Sequence, residues 1–340
     1  MRYKLLGKSG VRVSELVLGT MTFGEAWGWG ASPEDSKQMF DRYAQAGGNF
    51  IDTSVNYTDG EAETILGNLL RADRDHFVVA TKYTLTKRDS TDPNSGGNSR
   101  KNMMQSVERS LKRLQTDVID LLYLHVWDYT TPVEEVLRGL DDLVRMSKVN
   151  YIAISDSPGY IVAEANTMAE LRGWSRFVGV QLPYSLANRE IEREMLPMAK
   201  HWDMAVMPFS LIGGGVLTGK YTESSEPTRF DRDQMKIPER TQAIIEEVRK
   251  IAEEVGKSRA QVAINWVRQQ QHKAQMIPIL GARTVAQLED NLAVVEWELN
   301  ADQLKRLDDA SQIELGFPHS WHGSPYVFGK TYDQIDNHHV

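Results

Sequence analysis

Several polar residues close otherwise apolar runs along the chain. Asp52 ends FID, Lys82 ends FVVATK, His125 ends IDLLYLH, Ser155 ends YIAIS and is followed by Asp156, and Gln181 lies in FVGVQL. Each alone reads as well as a hydrogen-bonded strand end, but a set that converges is harder to explain that way. Asp52 and Lys82 suit a partly buried ion pair. Tyr57 follows in TSVNYTDGE, a turn with no obvious core for an aromatic ring. A free phenol with a pKa of about 10 is a poor acid at neutral pH, and a neighbouring ammonium lowers that value. Tyr57 is then a candidate general acid, with Lys82 lowering its pKa, Asp52 holding Lys82 charged and oriented, and His125 donating to a carbonyl oxygen. Such a group polarises a carbonyl and protonates the developing alkoxide. It has no nucleophile with an adjacent base, which disfavours covalent hydrolysis. The chain has no Cys, so thiol chemistry and Cys-ligated metals are excluded, and a hydride must come from a bound cofactor.

Two segments suit phosphate. PFSLIGGGVLTGKY (208 to 221) carries a glycine cluster ending in Gly219-Lys220. Gly214 and Gly219-Lys220 have Walker A spacing, but Tyr221 replaces the Ser or Thr that would hold magnesium, which disfavours an ATPase. A flexible glycine-rich surface loop is the plain alternative. In ILGARTVAQLEDNL (279 to 292), Arg283 stands at the positive end of a helix capped near Thr284, unfavourable for a cation unless an anion binds beside it. A pyrophosphate over the first segment and a monophosphate at Arg283 describe a dinucleotide with a 2′-phosphate; FMN would leave one site unused.

Apolar runs at 16 to 19, 50 to 53, 77 to 82, 119 to 125, 151 to 155, 177 to 182, 204 to 210 and 275 to 281 alternate with segments of helical period. Helix starts are legible at Ser32-Pro33 with Asp35, at Thr131-Pro132 and at Ser258. Eight βα units predict an α/β fold, a (β/α)8 TIM barrel, which places chemistry at the C-terminal ends of its strands and often phosphate in the last two loops. An open doubly wound sheet is the competitor, but LGTMTFGEAWGWG after the first run lacks GxGxxG. YKLLGKSGVRVSE predicts a hairpin turning at Ser9-Gly10 that plugs the barrel's N-terminal end, and NADQLKRLDDAS (300 to 311) predicts an extra helix. The expected organisation is one barrel domain over 1–340, with a tail from about 312 to 340. Long irregular segments are expected at 83 to 98, at 211 to 240 and in the tail.

The 340 residues carry 39 basic and 47 acidic groups, a net charge of -8, which argues against a nucleic-acid footprint. No apolar run is long enough for a membrane span and no signal peptide is legible, so a soluble cytoplasmic protein is expected, with a homo-oligomer allowed. His319, His322, His338 and His339 lack a metal-site motif, and no metal is expected.

LGTMTFG, FIDTSVNYTDGEAETILG, the ATK of the third run, SVERSLKRLQTDVIDLLYLHVWD, SLIGGGVLTGKY and GARTVAQLEDNL together resemble the aldo-keto reductases over essentially the whole chain. The resemblance implies a catalytic tetrad of Asp52, Tyr57, Lys82 and His125. It implies Gly19, Thr20 and Asp52 at the cofactor ribose, Met21 among the cofactor-binding residues, and Ser155 and Gln181 holding the carboxamide with Asp156 beside it. Phe209 would stack on the nicotinamide. Ser210, Leu211, Gly213, Gly215, Leu217 and Lys220 would form the pyrophosphate loop, and Gly281, Ala282, Arg283, Gln287, Asp290 and Asn291 the adenosine-phosphate site. Two departures stand out: Ser155-Asp156 replaces the usual Ser-Asn, similar to the SDSP or SDTP of a bacterial and fungal subset, and Gly281 replaces a frequent Lys, leaving Arg283 as the main cation.

The implied activity is reduction of a small-molecule carbonyl with NADPH; the alternative is an NADP-binding regulatory subunit with little turnover. Aromatic residues at Trp27, Trp29, Trp127, Phe317, Trp321, Tyr326 and Phe328 are ordinary packing groups singly. If Trp27, Trp127 and Trp321 line one pocket with Tyr57 and His125, the substrate has an apolar or ring-shaped body.

Overall fold

The computed structural model describes residues 1–86, 89–221, 237–321 and 324–336. An antiparallel hairpin of β1 (Tyr3–Leu5) and β2 (Arg12–Ser14) precedes the main sheet. In that sheet β3 (Val17–Gly19), β4 (Phe50–Asp52), β5 (Val78–Tyr83), β6 (Ile119–Leu124), β7 (Val149–Ser155), β8 (Phe177–Pro183) and β9 (Ala205–Phe209) pair in chain order, all parallel.

The eighth run is split. β10 (Gln275–Met276) pairs with β9, and β11 (Ile279–Leu280) pairs with β3. Pro278 between them has no N–H to continue a ladder. Instead the Ile277 N–H donates to the Val206 carbonyl at 2.8 Å and the Val17 N–H donates to the Pro278 carbonyl at 2.9 Å, so the strand serves one neighbour and then the other. The sheet closes into a barrel, and the doubly wound alternative is excluded. Closure itself needs Gly19, where a Cβ would stand 2.8 Å from Ile279 Cγ2 and 3.1 Å from the Leu280 carbonyl oxygen.

Inside the ring, Phe50, Ala80, Leu121, Ala153 and Met207 form an apolar cluster that Leu6 and Val13 of the hairpin region join from below. The hairpin is the expected plug, tied to the eighth strand by Lys4 Nζ donating to the Met276 carbonyl at 2.8 Å and the Gly7 N–H donating to Gln275 Oε1 at 3.0 Å.

Around the barrel stand α1 (Pro33–Gln45), α2 (Glu61–Leu70), α3 (Arg100–Leu114), α4 (Val133–Arg145), α5 (Gly159–Arg172), α6 (Met195–His201), α7 (Glu239–Val255), α8 (Arg259–Arg268) and α9 (Val285–Leu292), and then α10 (Ala301–Ser311). Ser32, Ser258 and Thr284 each accept from the backbone N–H three residues on, caps worth about 1 kcal/mol apiece over Ala. Asn300 and Gln303 complete a capping box on α10. The start expected at Thr131-Pro132 falls in place but works differently. Pro132 is the cap residue without a side-chain bond, and Thr131 donates to Asp128 Oδ2 at 2.8 Å instead, because that carboxylate already organises the loop through the N–H groups of Thr130 and Thr131. Among the described residues no helix is long and apolar enough to cross a membrane.

Candidate active site

Because all barrel strands are parallel, the chosen polar residues meet at one rim. Asp52 and Ser155 are the last residues of β4 and β7, Lys82 is the penultimate residue of β5, His125 follows β6 directly, and Gln181 lies in the last turn of pleat of β8.

Tyr57 is set there by a strained turn. Thr58, Asp59 and Gly60 follow with φ of 45, 56 and 99°, and a β-branched residue at positive φ is rare and costly. Several bonds hold it. Thr58 Oγ1 donates to the Phe23 carbonyl at 2.6 Å, and Arg113 Nη1 donates to the Val55 carbonyl at 2.8 Å. The Arg113 guanidinium lies where a Cβ on Gly60 would be, 2.3 Å from its Cζ. Glu63, wholly buried, accepts from Arg113 at 3.2 Å and from Thr81 Oγ1 at 2.7 Å.

At the centre Lys82 is completely buried. Its Nζ donates to Asp52 Oδ2 at 2.5 Å, the Thr53 carbonyl at 2.9 Å and Tyr57 Oη at 3.1 Å, so all three N–H bonds are used. Gln181 Nε2 donates to the other Asp52 oxygen, Oδ1, at 2.8 Å. His125 Nδ1 lies 3.2 Å from Ser54 Oγ, which in turn is 2.8 Å from Asn56 Oδ1. The rings of Tyr57 and His125 meet edge to face at 6.0 Å.

Burial pulls the Lys82 ammonium down, but the Asp52 carboxylate and then Tyr57 hold it above its ordinary value, so it stays charged. For Tyr57 the balance departs from the sequence expectation: burial raises the phenol above its ordinary value and the Lys82 charge, pulling down, does not overcome it. Tyr57 therefore keeps its proton at neutral pH, as a donor must. Burial, with the Lys82 charge second, pushes His125 well below the usual imidazole range, leaving it neutral.

The residues expected at a nucleotide divide into those free to meet a ligand and those with structural duties. Ser155 is buried and its hydroxyl has no hydrogen-bond partner among the described residues, so it has capacity left for one. Thr20 is instead occupied, its N–H and hydroxyl both donating to the Asp52 carbonyl at 2.9 and 3.0 Å, while Met21 is half-buried in the following turn. Phe209 ends β9 half-buried against the inner apolar cluster. Beyond it Ser210 and then Gly213, Gly214 and Gly215 have positive φ, from 58 to 96°, in tight turns closed by the Gly213 N–H on the Ser210 carbonyl and the Gly215 N–H on the Ile212 carbonyl. Leu211 and Leu217 bury their side chains. Lys220 folds over Gly215, its Nζ 2.5 Å from where a Cβ would be.

In the last loop Gly281 is open, Ala282 is buried with its carbonyl accepting from Thr22, and the Arg283 N–H donates to Gln287 Oε1 at 2.9 Å. The Arg283 guanidinium meets no carboxylate among the described residues. Asp290 accepts from Ser258 at 2.6 Å and Gln261 at 2.7 Å, and Asn291 Nδ2 donates to the Gly281 carbonyl at 3.2 Å, so both brace the loop.

Of the aromatic residues, Trp27 joins the site. Its ring lies 6.4 Å from Tyr57 and 5.8 Å from Trp29, extending a line of rings through His125. Glu61 holds this loop by accepting from the N–H groups of Glu25 and Ala26. Trp127 is only 7% exposed and packs in the outer core. Trp321 is 53% exposed, its ring tilted against that of Tyr326 at 6.3 Å, with no ring contact to Trp27 or Tyr57. His322, His338 and His339 lie outside the described residues.

Sequence reasoning missed Ser54, Thr53, Glu63 and Arg113. The polar run TSVN directly after Asp52 was the only signal for the first two.

A barrel with buried, hydrogen-bonded Asp52, Lys82 and Tyr57 and a neutral His125 at its C-terminal rim is an arrangement able to polarise and protonate a carbonyl. The Aldo/keto reductase family model matches residues 15–312, and the chain belongs to that family. It is 35% identical to a norsolorinic acid reductase of Aspergillus flavus over 92% of this chain and 82% of the relative. It is also 35% identical, over 91% and 86%, to an aryl-alcohol dehydrogenase of Phanerodontia chrysosporium whose name specifies NADP(+). An aryl-alcohol dehydrogenase of Pestalotiopsis microspora is 33% identical over 95% and 85%. The family typically uses a nicotinamide cofactor.

Proposed function

We propose that the chain, as one barrel domain over 1–340 with a tail from about 312, reduces aromatic aldehydes or ketones with NADPH. The observation that carries this is Lys82, fully buried, with its ammonium shared between the Asp52 carboxylate and the Tyr57 hydroxyl. When bound, NADPH supplies the hydride. Tyr57 gives its proton to the carbonyl oxygen as negative charge develops there, and Lys82 at 3.1 Å stabilises the phenolate left behind. Asp52, anchored by Gln181, keeps Lys82 charged and still. His125 helps polarise the carbonyl from Nε2 if Nδ1 is an acceptor. That tautomer requires Ser54 to donate to Nδ1 and Asn56 to turn its amide nitrogen toward Ser54.

The orphaned Ser155 hydroxyl suits an amide of the nicotinamide, the left-handed residues Ser210 and Gly213 to Gly215 with Lys220 suit a pyrophosphate, and Arg283 suits a 2′-phosphate. The line Trp29, Trp27, Tyr57 and His125 suits a planar substrate, in accord with the aryl-alcohol dehydrogenases among the relatives. A cytoplasmic location accords with the lack of Cys. Loss of NADPH absorbance with a panel of aldehydes and ketones is the test, with Tyr57→Phe as control. Turnover of aromatic carbonyls that Tyr57→Phe nearly abolishes while still binding NADPH supports the reading. No turnover with normal NADPH binding favours the regulatory alternative, and preference for an open-chain sugar refutes the aromatic substrate.

A further inference from the structure

One ionisable group at the rim has no part in the relay. Asp156 follows β7 in a left-handed conformation, φ 36°, which an L-residue other than Asn, Asp or Gly adopts at a cost. Its backbone is fixed on both sides: the Asp156 N–H donates to the Gln181 carbonyl and the Trp127 N–H donates to the Asp156 carbonyl, each at 3.4 Å. Its carboxylate forms no ion pair or hydrogen bond with another side chain among the described residues. Its side chain is exposed at the rim, one residue after Ser155 and tied through its N–H to Gln181, whose side chain holds Asp52, so its charge stands at the same end of the barrel as Lys82 and Tyr57. A solvated carboxylate held at that rim offers a favourable site to a cation that a ligand brings.

The proposed function provides one, and this inference rests on that reading. The carbonyl that takes a proton from Tyr57 must also take a hydride, so the nicotinamide ring has to lie at the same place and hence within the field of Asp156. Two electrons and one hydrogen nucleus leave the ring together, turning a neutral dihydronicotinamide into a pyridinium cation, while the carbonyl gains that hydride and the Tyr57 proton to become an alcohol. We propose that Asp156 is a charge-selective positioning residue: its carboxylate stabilises the oxidised, cationic nicotinamide over the reduced, neutral one, which makes bound NADPH a stronger reductant and NADP⁺ a tighter product. Asn at this position keeps the shape and tolerates the left-handed backbone, but lacks the charge.

The groups around Asp156 make the effect titratable. Though its side chain is exposed, the protein around it desolvates the carboxyl in part and pushes it up to about 6, with Lys82 pulling the other way. From the neighbouring elements, Lys82 on β5 stays charged, Tyr57 stays protonated and His125 stays neutral through this range, Asp52 is paired with Lys82, and β8 presents the uncharged Gln181. Protonation below about 6 therefore removes the negative charge that selects for the cation.

The test is the ratio of the dissociation constants of NADPH and NADP⁺, from intrinsic tryptophan fluorescence, at pH 5.5 and pH 8 for wild type and Asp156→Asn. The 2′-phosphate titrates in both nucleotides and cancels in the ratio. We expect wild type to favour NADP⁺ about tenfold more at pH 8 than Asp156→Asn does, equal to about 30 mV in the two-electron potential of the bound nucleotide, and to lose most of that preference at pH 5.5, with the variant flat. Equal ratios in both proteins at both pH values, with both nucleotides still bound, overturn the role of Asp156 and leave the reductase reading intact. Failure of wild type to bind either nucleotide overturns both.

Discussion

Lys82→Met separates the chemical role of the buried ammonium from its structural one. In wild type Lys82 Nζ lies 3.1 Å from Tyr57 Oη. At an effective dielectric constant of about 20, a unit charge at that distance stabilises a phenolate by about 5 kcal/mol. If between half and most of that is realised in the transition state, kcat falls by about 10² to 10⁴. The same change leaves Asp52 buried beside a missing partner, which costs about 3–5 kcal/mol of stability, softened by the remaining Gln181 bond. Lys82→Met with Asp52→Asn removes the stranded charge, so the double variant should regain most of the lost Tm but none of the kcat. The assays are urea unfolding, NADPH binding by fluorescence and single-turnover reduction of an aromatic aldehyde. NADPH affinity should change by less than about threefold, because the proposed phosphate contacts lie elsewhere. A folded Lys82→Met protein that retains kcat within tenfold of wild type would refute the relay.

Arg283→Ala should weaken NADPH binding by about 10- to 100-fold, the range for a lost charge-assisted contact, and leave NADH almost unchanged; equal losses for the two nucleotides would sink the 2′-phosphate assignment. Trp27→Ala removes the ring that meets Tyr57 at 6.4 Å and should lower kcat/KM about tenfold for an aromatic aldehyde but not for a short aliphatic one; a uniform drop would place Trp27 in loop structure instead of substrate contact. Lys4 is pushed down to about 8, by burial first and against the pull of Glu15. Below about pH 8 its ammonium is charged in both folded and unfolded chains and the folded state bears the burial cost; between about 8 and 10.5 the folded chain releases the proton first, so this contribution makes stability rise with pH. Wild type should accordingly gain about 2 kcal/mol of stability relative to Lys4→Met from pH 7 to pH 10 in urea unfolding, a figure reduced for its partial exposure; a constant difference would count against it.

The local features were legible in the residues. Each barrel strand is an apolar run, and the caps at Ser32, Ser258, Thr284 and Asn300 depend on bonds spanning three residues, so the sequence carries them whole. The rim position of Asp52, Lys82, His125 and Ser155 was legible too, because parallel strands bring their C-terminal ends to one side. What the sequence does not carry are partners far apart in the chain. Asp290 meets Ser258 and Gln261, and Asn291 meets the Gly281 carbonyl. Trp127 packs in the outer core, and the Trp321 ring lies 6.3 Å from that of Tyr326.

The sequence by itself determined which segments become strands and helices and which side chains the rim can hold, since periodicity, capping and strand polarity are properties of neighbouring residues. Tertiary structure alone decided how the eighth strand splits around Pro278 to close the ring. It also decided that Gln181 grips Asp52 across 129 residues of chain and that Arg113 and Glu63 hold the left-handed turn that aims Tyr57. It reversed the direction of the Tyr57 shift, because burial depends on everything packed around the phenol and outweighs the single charge that the sequence could place beside it.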